Sequence, residues 1–408
     1  MTAAAPAEEA TPDGLAALPR RAFENFRAGN IGGSPIVVAL AIIVVYFGLT
    51  ANNFFTSTNF NNIITQMAGM CMLAYGVTFV LLIAEIDLSV AYVSGVAGVV
   101  VAELQLPGSG HALPGLVAIL LAVLAGGLIG AAQGSVVALI GVPSFVVTLA
   151  GFLIWQGTII KVVEKAGAII IQDHTINDTA NYFFTDRNGW IVGVILATVY
   201  VLAVLSGMWA QLRHHVSLGA PWRVAVKLIV PPAAIFLVVG ICNNDPRRGL
   251  PFALLLVVAA LFVLTYLAKR TTFGRHVYAV GGNAEAARRA GINVARIRIL
   301  VFAIAGAMSG LGGVILAARL NSVDLNQGGG TLLIDAIAAA VIGGTSLFGG
   351  RGEVRNALFG ALVIKTIENG LDTKGYSQGI IFIVTGCILL FAVTIDAVAR
   401  RLQAKSGL

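Results

Sequence analysis

Charged residues are scarce in this sequence. They make up 11% of its 408 residues, while 58% are hydrophobic and the mean hydropathy is +0.90. A soluble domain carries about 25% charged residues. The composition therefore indicates a polytopic membrane protein. The net charge of +7 is explained by basic loops facing anionic lipid headgroups, so no nucleic-acid partner is predicted.

The sequence also lacks the motifs of a metal site, a redox site or a nucleotide site. Its three cysteines stand apart, without CxxC or His/Cys spacing. No Ser/His/Asp arrangement indicates an enzyme. The glycine-rich stretch 343–350 lacks the terminal Gly-Lys-Ser/Thr of a phosphate loop, and no other stretch supplies it. We therefore expect no catalytic residues, no metal and no cofactor bound by this chain.

Twelve apolar stretches are long enough to be membrane helices. A spanning helix needs about 20 apolar residues, with a range of about 17–25. Each stretch is bounded by polar or turn residues, the first is short, and glycine interrupts the tenth. The predicted fold is an all-α polytopic membrane protein with about twelve transmembrane helices, at 35–50, 61–83, 88–104, 114–139, 144–163, 189–210, 224–242, 250–268, 298–317, 331–348, 354–371 and 377–396.

Basic residues are unevenly distributed among the loops. With the N-terminus inside, 17 of the 26 Lys and Arg residues fall in inside segments and 7 in outside segments. Cytoplasmic loops carry an excess of Lys and Arg. This split predicts one membrane domain at 34–400, with cytoplasmic tails at 1–33 and 401–408. The first tail lacks the basic start and apolar core of a cleavable signal peptide.

Two four-helix blocks, spans two to five and spans nine to twelve, enter the membrane from opposite faces. In each block the second span opens with Ile-Asp, at Ile86-Asp87 and at Ile334-Asp335. An inverted repeat around a path near the membrane midplane is a common plan for transporters. We therefore predict an inverted-repeat core, with the tract 189–249 between the blocks as an inserted helix pair.

The longest charged run between apolar segments is 269–298, which holds seven Lys or Arg residues and should lie in the cytoplasm. Within it, Glu285, Ala286 and Ala287 favour a short helix, and Gly291 can supply its left-handed end. From charge alone, this segment is either an ordinary solvated loop or a short helix displayed as a docking surface.

Two strings in the chain resemble a known family. Glu285-Ala286-Ala287-x-x-x-Gly291 is similar to the coupling-loop motif of ABC importer permeases. The wider strings FGRHVYAVGGNAEAARRAGINV at 273–294 and LIDAIAAAVIGGTSLFGGRG at 333–352 closely resemble the sugar branch of that family, the ribose/xylose-type permeases. The longer D-xylose-type members carry an extra helix pair beyond a ten-helix type II importer core, as the tract 189–249 would provide.

The resemblance implies a permease that imports a monosaccharide, D-xylose or a related pentose, across the bacterial inner membrane. It implies a homodimer in lipid, an extracytoplasmic sugar-binding protein on one face, and a separate ATP-binding subunit, which holds ATP and Mg, on the other. In the family the coupling loop, here 269–298, docks in a groove of the ATPase. That role is carried over to Glu285, Ala286, Ala287, Arg288 and Gly291.

Two rival classes remain. A self-sufficient secondary transporter of a small polar solute would need a site for a coupling ion, which Lys365 and Glu368 can provide, but it would leave the coupling-loop motif unexplained. A membrane enzyme would need a cluster of His, Asp or Ser at one interface, and the sequence places none there.

Several polar residues within the spans are candidates for the translocation path. Lys365 and Glu368 share a helical face, where they either line a path with Asn369 or form a structural pair. Trp155 and Gln156 suit sugar recognition or ordinary packing. Gln66 and Gln133 either line the path or bridge helices by hydrogen bonds.

Structural roles are predicted for four further residues and for the small residues of two spans. Asp87 or Ser89 can cap the third span. The stretch resembles the family segment G-G-I-D-L-S-V-G, although Ala84, Glu85 and Ala91 replace its glycines. Asp335 is the counterpart of Asp87 in the second block, and Gly343 and Gly344 break or tightly pack span ten. Glycines at intervals of four predict packing seams between helices, at Gly126, Gly130, Gly134, Gly306 and Gly310.

The longest outside loop, 164–188, mixes apolar and polar residues. It either folds over the outer mouth and meets an extracytoplasmic partner, or it is a passive connector.

Overall fold

The computed structural model describes residues 34–107, 110, 112–214 and 220–406. The predicted tail 1–33 lies outside these residues. The described part of the chain folds into helices joined by short loops, with four short strands. The helices are α1 Ser34–Thr50, α2 Ser57–Leu82, α3 Val90–Leu104, α4 Gly115–Ser135, α5 Ser144–Val163, α6 His174–Asn181, α7 Asp186–Arg213, α8 Pro221–Asn243, α9 Phe252–Arg270, α10 Thr272–Gly282, α11 Ala284–Arg289, α12 Val294–Leu320, α13 Leu332–Ile342, α14 Val354–Thr373 and α15 Gln378–Ser406.

Twelve of these helices coincide with the twelve predicted spans, which confirms the all-α polytopic class. Seven are long and apolar enough to cross a membrane by length and composition alone. Four others are shorter apolar helices, and α14 has the length but carries Lys365 and Glu368. The remaining helices, α6, α10 and α11, lie in the loops.

The tenth span is shorter than predicted. The sequence predicts 331–348, but α13 ends at Ile342 after 11 residues, which is about 16 Å of helix against a hydrocarbon core of about 30 Å. Gly344 has a φ of +79°, a conformation that favours glycine and ends the helix. A Cβ on Gly343 would meet the backbone of Asn356 at 2.8 Å. These two glycines thus both break the span and let it pack against α14.

Other boundaries differ because side chains cap the helices. Thr56 accepts a hydrogen bond from the Asn59 N–H at 3.3 Å, so α2 begins at Ser57 and not at 61. Asn293 accepts from the Arg296 N–H at 2.9 Å, so α12 begins at Val294 and not at 298. Because α15 runs to Ser406, the first residues of the predicted tail 401–408 are helical.

The two predicted blocks, α2–α5 and α12–α15, pack in a reciprocal pattern. Helix α2 contacts α13 and α14 of the other block, and α12 contacts α3 and α4. The two first helices, α2 and α12, also pack against each other. Within each block the second helix contacts the third. An inverted repeat produces this exchange of partners, so the packing supports the repeat that a single Ile-Asp dipeptide indicated.

The predicted glycine seams pack against each other. A Cβ on Gly126 would run into the Gly306 carbonyl and meet Gly310 at 3.1 Å, and a Cβ on Gly130 would meet Gly306 at 3.2 Å. The α4 and α12 backbones are therefore in direct contact. In a membrane, where lipid tails are as apolar as leucine, such close approach replaces the hydrophobic effect as the source of helix association.

Segments predicted to share a membrane face lie together. At one end, which we call the loop end, Glu85 pairs with Arg298, Ile86 N–H donates to the Ser144 hydroxyl at 3.2 Å, and Lys269 pairs with Glu353. At the opposite end the strand β1 Ala168–Ile170 pairs antiparallel with β4 Ser322–Asp324. This grouping agrees with the predicted alternation of spans. Cytoplasmic placement of the loop end stays a prediction.

The predicted outside loop 164–188 is folded. After β1, helix α6 packs on α12, and Ile176 and Ala180 are fully buried. Asn181 donates to the Ala318 carbonyl at 2.7 Å. The strand β2 Phe183–Phe184 then pairs with β3 Leu250–Pro251. The loop therefore covers the end of α12 opposite the coupling loop, and contact with an outside partner stays a prediction.

The chain divides into two compact units. The larger, 33–190 and 239–396, contains both four-helix blocks except for the end of α15. The smaller includes 191–238, a stretch within the predicted insertion. In the smaller unit the Tyr200 hydroxyl donates to the Lys227 carbonyl at 3.2 Å and joins α7 to α8. Few side chains of either helix are buried, as expected for helices that face lipid.

Candidate functional site

The predicted coupling helix exists as α11, Ala284–Arg289. The Asn283 side chain accepts a hydrogen bond from the Ala286 N–H at 2.9 Å and caps its first turn. Gly291 has a φ of +84°, and the Ile292 N–H returns to the Ala287 carbonyl at 3.0 Å. The cap and the left-handed glycine therefore hold a six-residue helix that would not be stable alone.

Helix α11 displays its charges and buries one alanine. Glu285 pairs with Arg288 at 3.0 Å and with Arg289 at 3.3 Å, and these side chains are 56%, 65% and 81% exposed. Ala287 is 5% exposed and packs on the core, together with the partly buried Ala284. The arrangement is a small charged knob anchored on its inner face, as docking requires.

The coupling loop is joined to the segment that follows α13. The Tyr278 hydroxyl of α10 donates to the Gly352 carbonyl at 2.8 Å. The Gly350 N–H donates to the Leu82 carbonyl, at the end of α2, at 2.9 Å. A Cβ on Gly281 would collide with the Leu82 carbonyl and with Gly350. Two glycine-containing segments thus meet the backbone at the end of α2, without side chains between them.

Ion pairs join the same region at two further points. Glu85 lies between α2 and α3 and pairs with Arg298 of α12 at 2.9 Å, with exposed fractions of 13% and 28%. Glu353 contacts Lys269 at the end of α9 and Arg355 at the start of α14. Burial favours a higher pKa for Glu353, but the hydrogen bond from Lys269 and the charge of Arg355 outweigh it and lower the pKa.

A charged network lies in the second block. Lys365 of α14 contacts Glu368 at 2.5 Å and Asp335 of α13 at 3.2 Å. Asp335 is 1% exposed and accepts a further hydrogen bond from Thr331 at 2.9 Å. Asn369 is buried, and its Oδ1 has no partner among the described residues. The network holds two carboxylates and one ammonium within the helix bundle.

Asp87 forms the matching polar centre of the first block. It is 5% exposed and accepts from the Ser89 N–H at 2.8 Å and the Ser89 hydroxyl at 2.7 Å. The predicted capping of the third span is wrong, because neither side chain caps α3. Asp87 stabilises the preceding turn instead.

The Ser89 hydroxyl also lies 3.0 Å from the side-chain oxygen of Gln133 of α4. One hydroxyl hydrogen serves one acceptor, and the Asp87 carboxylate is the nearer and stronger one. The buried Gln133 Nε2 and Trp155 Nε1 both lie beside Gly151 of α5 and have no hydrogen-bond partner among the described residues.

Each repeat thus carries a buried aspartate, Asp87 or Asp335, which is the second residue of its Ile-Asp dipeptide. In both cases the aspartate is linked to the third helix of its own block, through Ser89 to Gln133 of α4 in one and directly to Lys365 of α14 in the other. The two repeats share the position of the aspartate but differ in its partner, which is the neutral Ser89 in the first and the charged Lys365 in the second.

The structure does not bring all predicted path residues together. Lys365, Glu368 and Asn369 lie in the second block, whereas Trp155 and the half-buried Gln156 lie on α5. Gln66 lines a separate open recess of about 260 Å³, at the end of the molecule opposite the coupling loop. The other residues of that recess are Asn62, Thr65, Asn181, Phe183, Arg248 and Arg319.

The path prediction also missed residues that the fold brings into the site. Asp335 pairs with Lys365, and Tyr278, Glu85 and Glu353 anchor the coupling loop. Glu85 stands where the family segment has a glycine, and this difference was the one sign in the sequence that the residue matters. Nothing in the sequence indicated that Arg298 is its partner. Among the described residues, no three His, Cys, Asp or Glu side chains are placed to hold a metal ion.

Comparison with known proteins places the chain in a family. The family model described as "Branched-chain amino acid transport system / permease component" matches residues 59–393. The chain belongs to this family. It is therefore a membrane permease, the transport component of its system rather than an enzyme.

Similar proteins cover almost the whole permease. The xylose transport system permease protein XylH of Escherichia coli K12 is 35% identical over 93% of this chain and 95% of its own length. XylH of Haemophilus influenzae is 36% identical over 90% of this chain and 96% of its own. The ribose import permease protein RbsC of Escherichia coli K12 is 31% identical over 88% and 92%. No solved structure matches the permease.

Proposed function

We propose that this permease is the membrane-spanning subunit of an ATP-binding cassette importer that carries D-xylose or a related pentose into a bacterial cell. It works as a homodimer in the inner membrane, with both termini in the cytoplasm. A separate ATPase subunit, which holds ATP and Mg, drives it. An extracytoplasmic sugar-binding protein delivers the substrate. The membrane domain is 34–400, with the coupling loop at 269–298 and the inserted pair at 189–249.

The observation that carries the proposal is the presentation of α11. Glu285, Arg288 and Arg289 project from a capped helix whose inner side is anchored by Ala287. A knob of this kind fits a groove on a partner. Because the sequence contains no phosphate-loop motif, ATP hydrolysis by a separate subunit would drive the permease through such a contact.

The anchoring of the loop supports a mechanism. Movement of α11 is passed to α10, and through Tyr278 and Gly352 to the segment between α13 and α14. The Gly350–Leu82 hydrogen bond and the Glu85–Arg298 pair pass it to α2 and α12. These helices belong to both repeats, so a pull at the coupling loop rocks one half against the other.

The printed names of the relatives support the choice of sugar. The more similar ones are xylose permeases and the less similar one a ribose permease. Selection of the sugar rests mainly with the binding protein in this proposal. Uptake of a panel of labelled pentoses and hexoses, by cells with and without this chain, tests it. Xylose uptake that does not depend on the chain would overturn the choice of sugar.

Co-purification tests the coupling interface. Glu285→Arg or Arg288→Glu reverses a charge on α11, and we expect the ATPase subunit to be lost from the purified complex. The matched control is Lys161→Glu, which breaks a similar exposed pair, Lys161–Glu164, far along the chain from α11. Retention of the ATPase by both α11 variants would contradict the docking role.

The Asp335–Lys365–Glu368 network is the one feature that favours an ion-coupled secondary transporter. The two mechanisms differ in their energy source. In vesicles, the importer needs internal ATP and tolerates a protonophore. A secondary transporter without an ATPase partner would have the opposite requirements.

A further inference from the structure

The recess around Gln66 is bounded by four separate parts of the chain. Asn62, Thr65 and Gln66 lie on the first turns of α2. Asn181 and Phe183 come from the folded loop after α5, Arg248 precedes α9, and Arg319 ends α12. The recess therefore lies where the first helices of the two repeats begin and end, at the face opposite the coupling loop.

Hydrogen bonds hold the wall of the recess in place. The Arg248 guanidinium donates to the Asn62 side-chain oxygen at 2.8 Å and lies 5.2 Å from the centre of the Phe183 ring. Asn181 donates to the Ala318 carbonyl at 2.7 Å and to the Asn321 side chain at 3.1 Å. A site whose side chains are already oriented loses less entropy when a ligand binds.

The lining groups favour a ligand rich in oxygen atoms. They are two guanidiniums, three amides, one hydroxyl and one aromatic ring, with no carboxylate among them. Arg319 makes no ion pair with any described residue. Guanidiniums and amides are strong donors. Small-molecule sites occupy about 300–1,000 Å³, so a recess of about 260 Å³ suits a single monosaccharide rather than a larger ligand.

We propose that this recess is a sugar-binding subsite at the outer mouth of the permease, which takes the monosaccharide as the binding protein releases it. The proposal rests on the function proposed above and adds a location to it. Gln66 and Arg319 donate hydrogen bonds to the sugar hydroxyls, while Arg248 and Asn62 form the wall. The subsite lies at the beginning of α2, the first helix of the first repeat, which packs against α12, α13 and α14 of the second.

A different occupant is an acidic side chain of the binding protein, which two guanidiniums would also attract. The three amides and the ring favour the sugar, because a single carboxylate is satisfied by the guanidiniums alone. The two occupants predict different losses when the recess is altered, so one set of variants separates them.

The test uses the full-length permease in lipid nanodiscs without its partners. Equilibrium binding of labelled xylose should be saturable, and Gln66→Leu and Arg319→Gln should each weaken it about tenfold, the loss of one good hydrogen bond. Arg187→Gln, which removes an exposed arginine outside the recess, should leave it unchanged. Thermal unfolding curves show whether each variant is folded.

Three results would overturn the proposal. They are the absence of saturable sugar binding by the unaltered permease, equal binding by the recess variants, and an equal loss with Arg187→Gln. A fourth also would: if the variants bind sugar normally but lose affinity for the binding protein, the recess is a docking contact. Failure of the importer function itself would appear separately, as wild-type cells that take up no pentose.

Discussion

The Tyr278 hydroxyl donates a hydrogen bond to the Gly352 carbonyl at 2.8 Å. The two residues belong to the two strings, 273–294 and 333–352, that resemble the sugar permeases. These strings are separate in sequence and adjacent in the fold. We infer that both strings resemble the family because together they form one contact region. Through this contact, we infer, the coupling loop acts on the broken tenth span.

Replacing Tyr278 with phenylalanine removes this hydrogen bond and keeps the ring. We expect about 1 kcal/mol of lost stability and a several-fold drop in transport per ATP hydrolysed, because the loop moves without pulling on the segment after α13. Parallel assays of ATPase activity and uptake in proteoliposomes measure this. Tyr266→Phe, at an exposed position of α9, is the control and should retain full coupling.

The Glu85–Arg298 pair predicts a charge-swap result. Each group is mostly shielded from water, so Glu85→Gln or Arg298→Gln leaves its partner unpaired, and we expect a cost of about 1–3 kcal/mol. Glu85→Arg combined with Arg298→Glu should recover most of the loss in a double-mutant cycle. Additive losses in the thermal unfolding of the single and double variants would show that the two groups do not interact.

The glycine seam predicts opposite effects of the same substitution at two sites. Gly306→Ala forces a methyl group into the Gly126 backbone, and we expect a cost of about 1–3 kcal/mol. Gly157→Ala adds a methyl group in open space on α5 and should be neutral or stabilising by about 0.5–1 kcal/mol. Thermal unfolding in detergent measures both changes. Equal effects would contradict direct contact of α4 with α12.

Within the charged network, the lysine matters more than either acid. Lys365→Met leaves the buried Asp335 and the half-buried Glu368 without a cation, and we expect a cost of about 3–5 kcal/mol. Asp335→Asn keeps the Lys365–Glu368 pair at 2.5 Å and should cost less. The order of the two unfolding temperatures is the measurement, and the reverse order would mean that the network is not held by Lys365.

Glu353 predicts a dependence of stability on pH. Its pKa is lowered in the folded state, so its contacts with Lys269 and Arg355 contribute fully above the unfolded pKa of about 4.3. The contribution is lost as the pH falls through the folded pKa. Unfolding curves of the wild type and Glu353→Gln should therefore differ at neutral pH and converge as the pH falls through the folded pKa. A constant difference at every pH would contradict this assignment.

Local patterns predicted much of this molecule. Hydropathy located the twelve helices that coincide with the predicted spans, and Glu285, Ala286, Ala287 and Gly291 predicted the short helix α11. The boundaries were less accurate where a side chain sets them, as Thr56 and Asn293 do by capping. The end of span ten was missed because hydropathy does not register the left-handed turn at Gly344.

The candidate site was only partly predictable. Lys365 and Glu368 were identified as a pair from their helical spacing. Asp335 was assigned a structural role, because its contact with Lys365 depends on how α13 packs against α14. Gln66 was identified as a polar residue within a span. Its recess could not be predicted, because the loops that complete it lie far away in the sequence.

By itself, the sequence determined the class of protein, the positions of its apolar helices and the position of the short helix α11. Each of these follows from short-range properties, namely hydropathy, helix propensity and the conformational freedom of glycine. Only the tertiary structure decided which distant groups meet, such as Glu85 with Arg298 and Tyr278 with Gly352. The physical reason is that contacts between residues far apart in the sequence depend on how whole helices pack. That packing depends on every residue along the helices and not on the two partners alone.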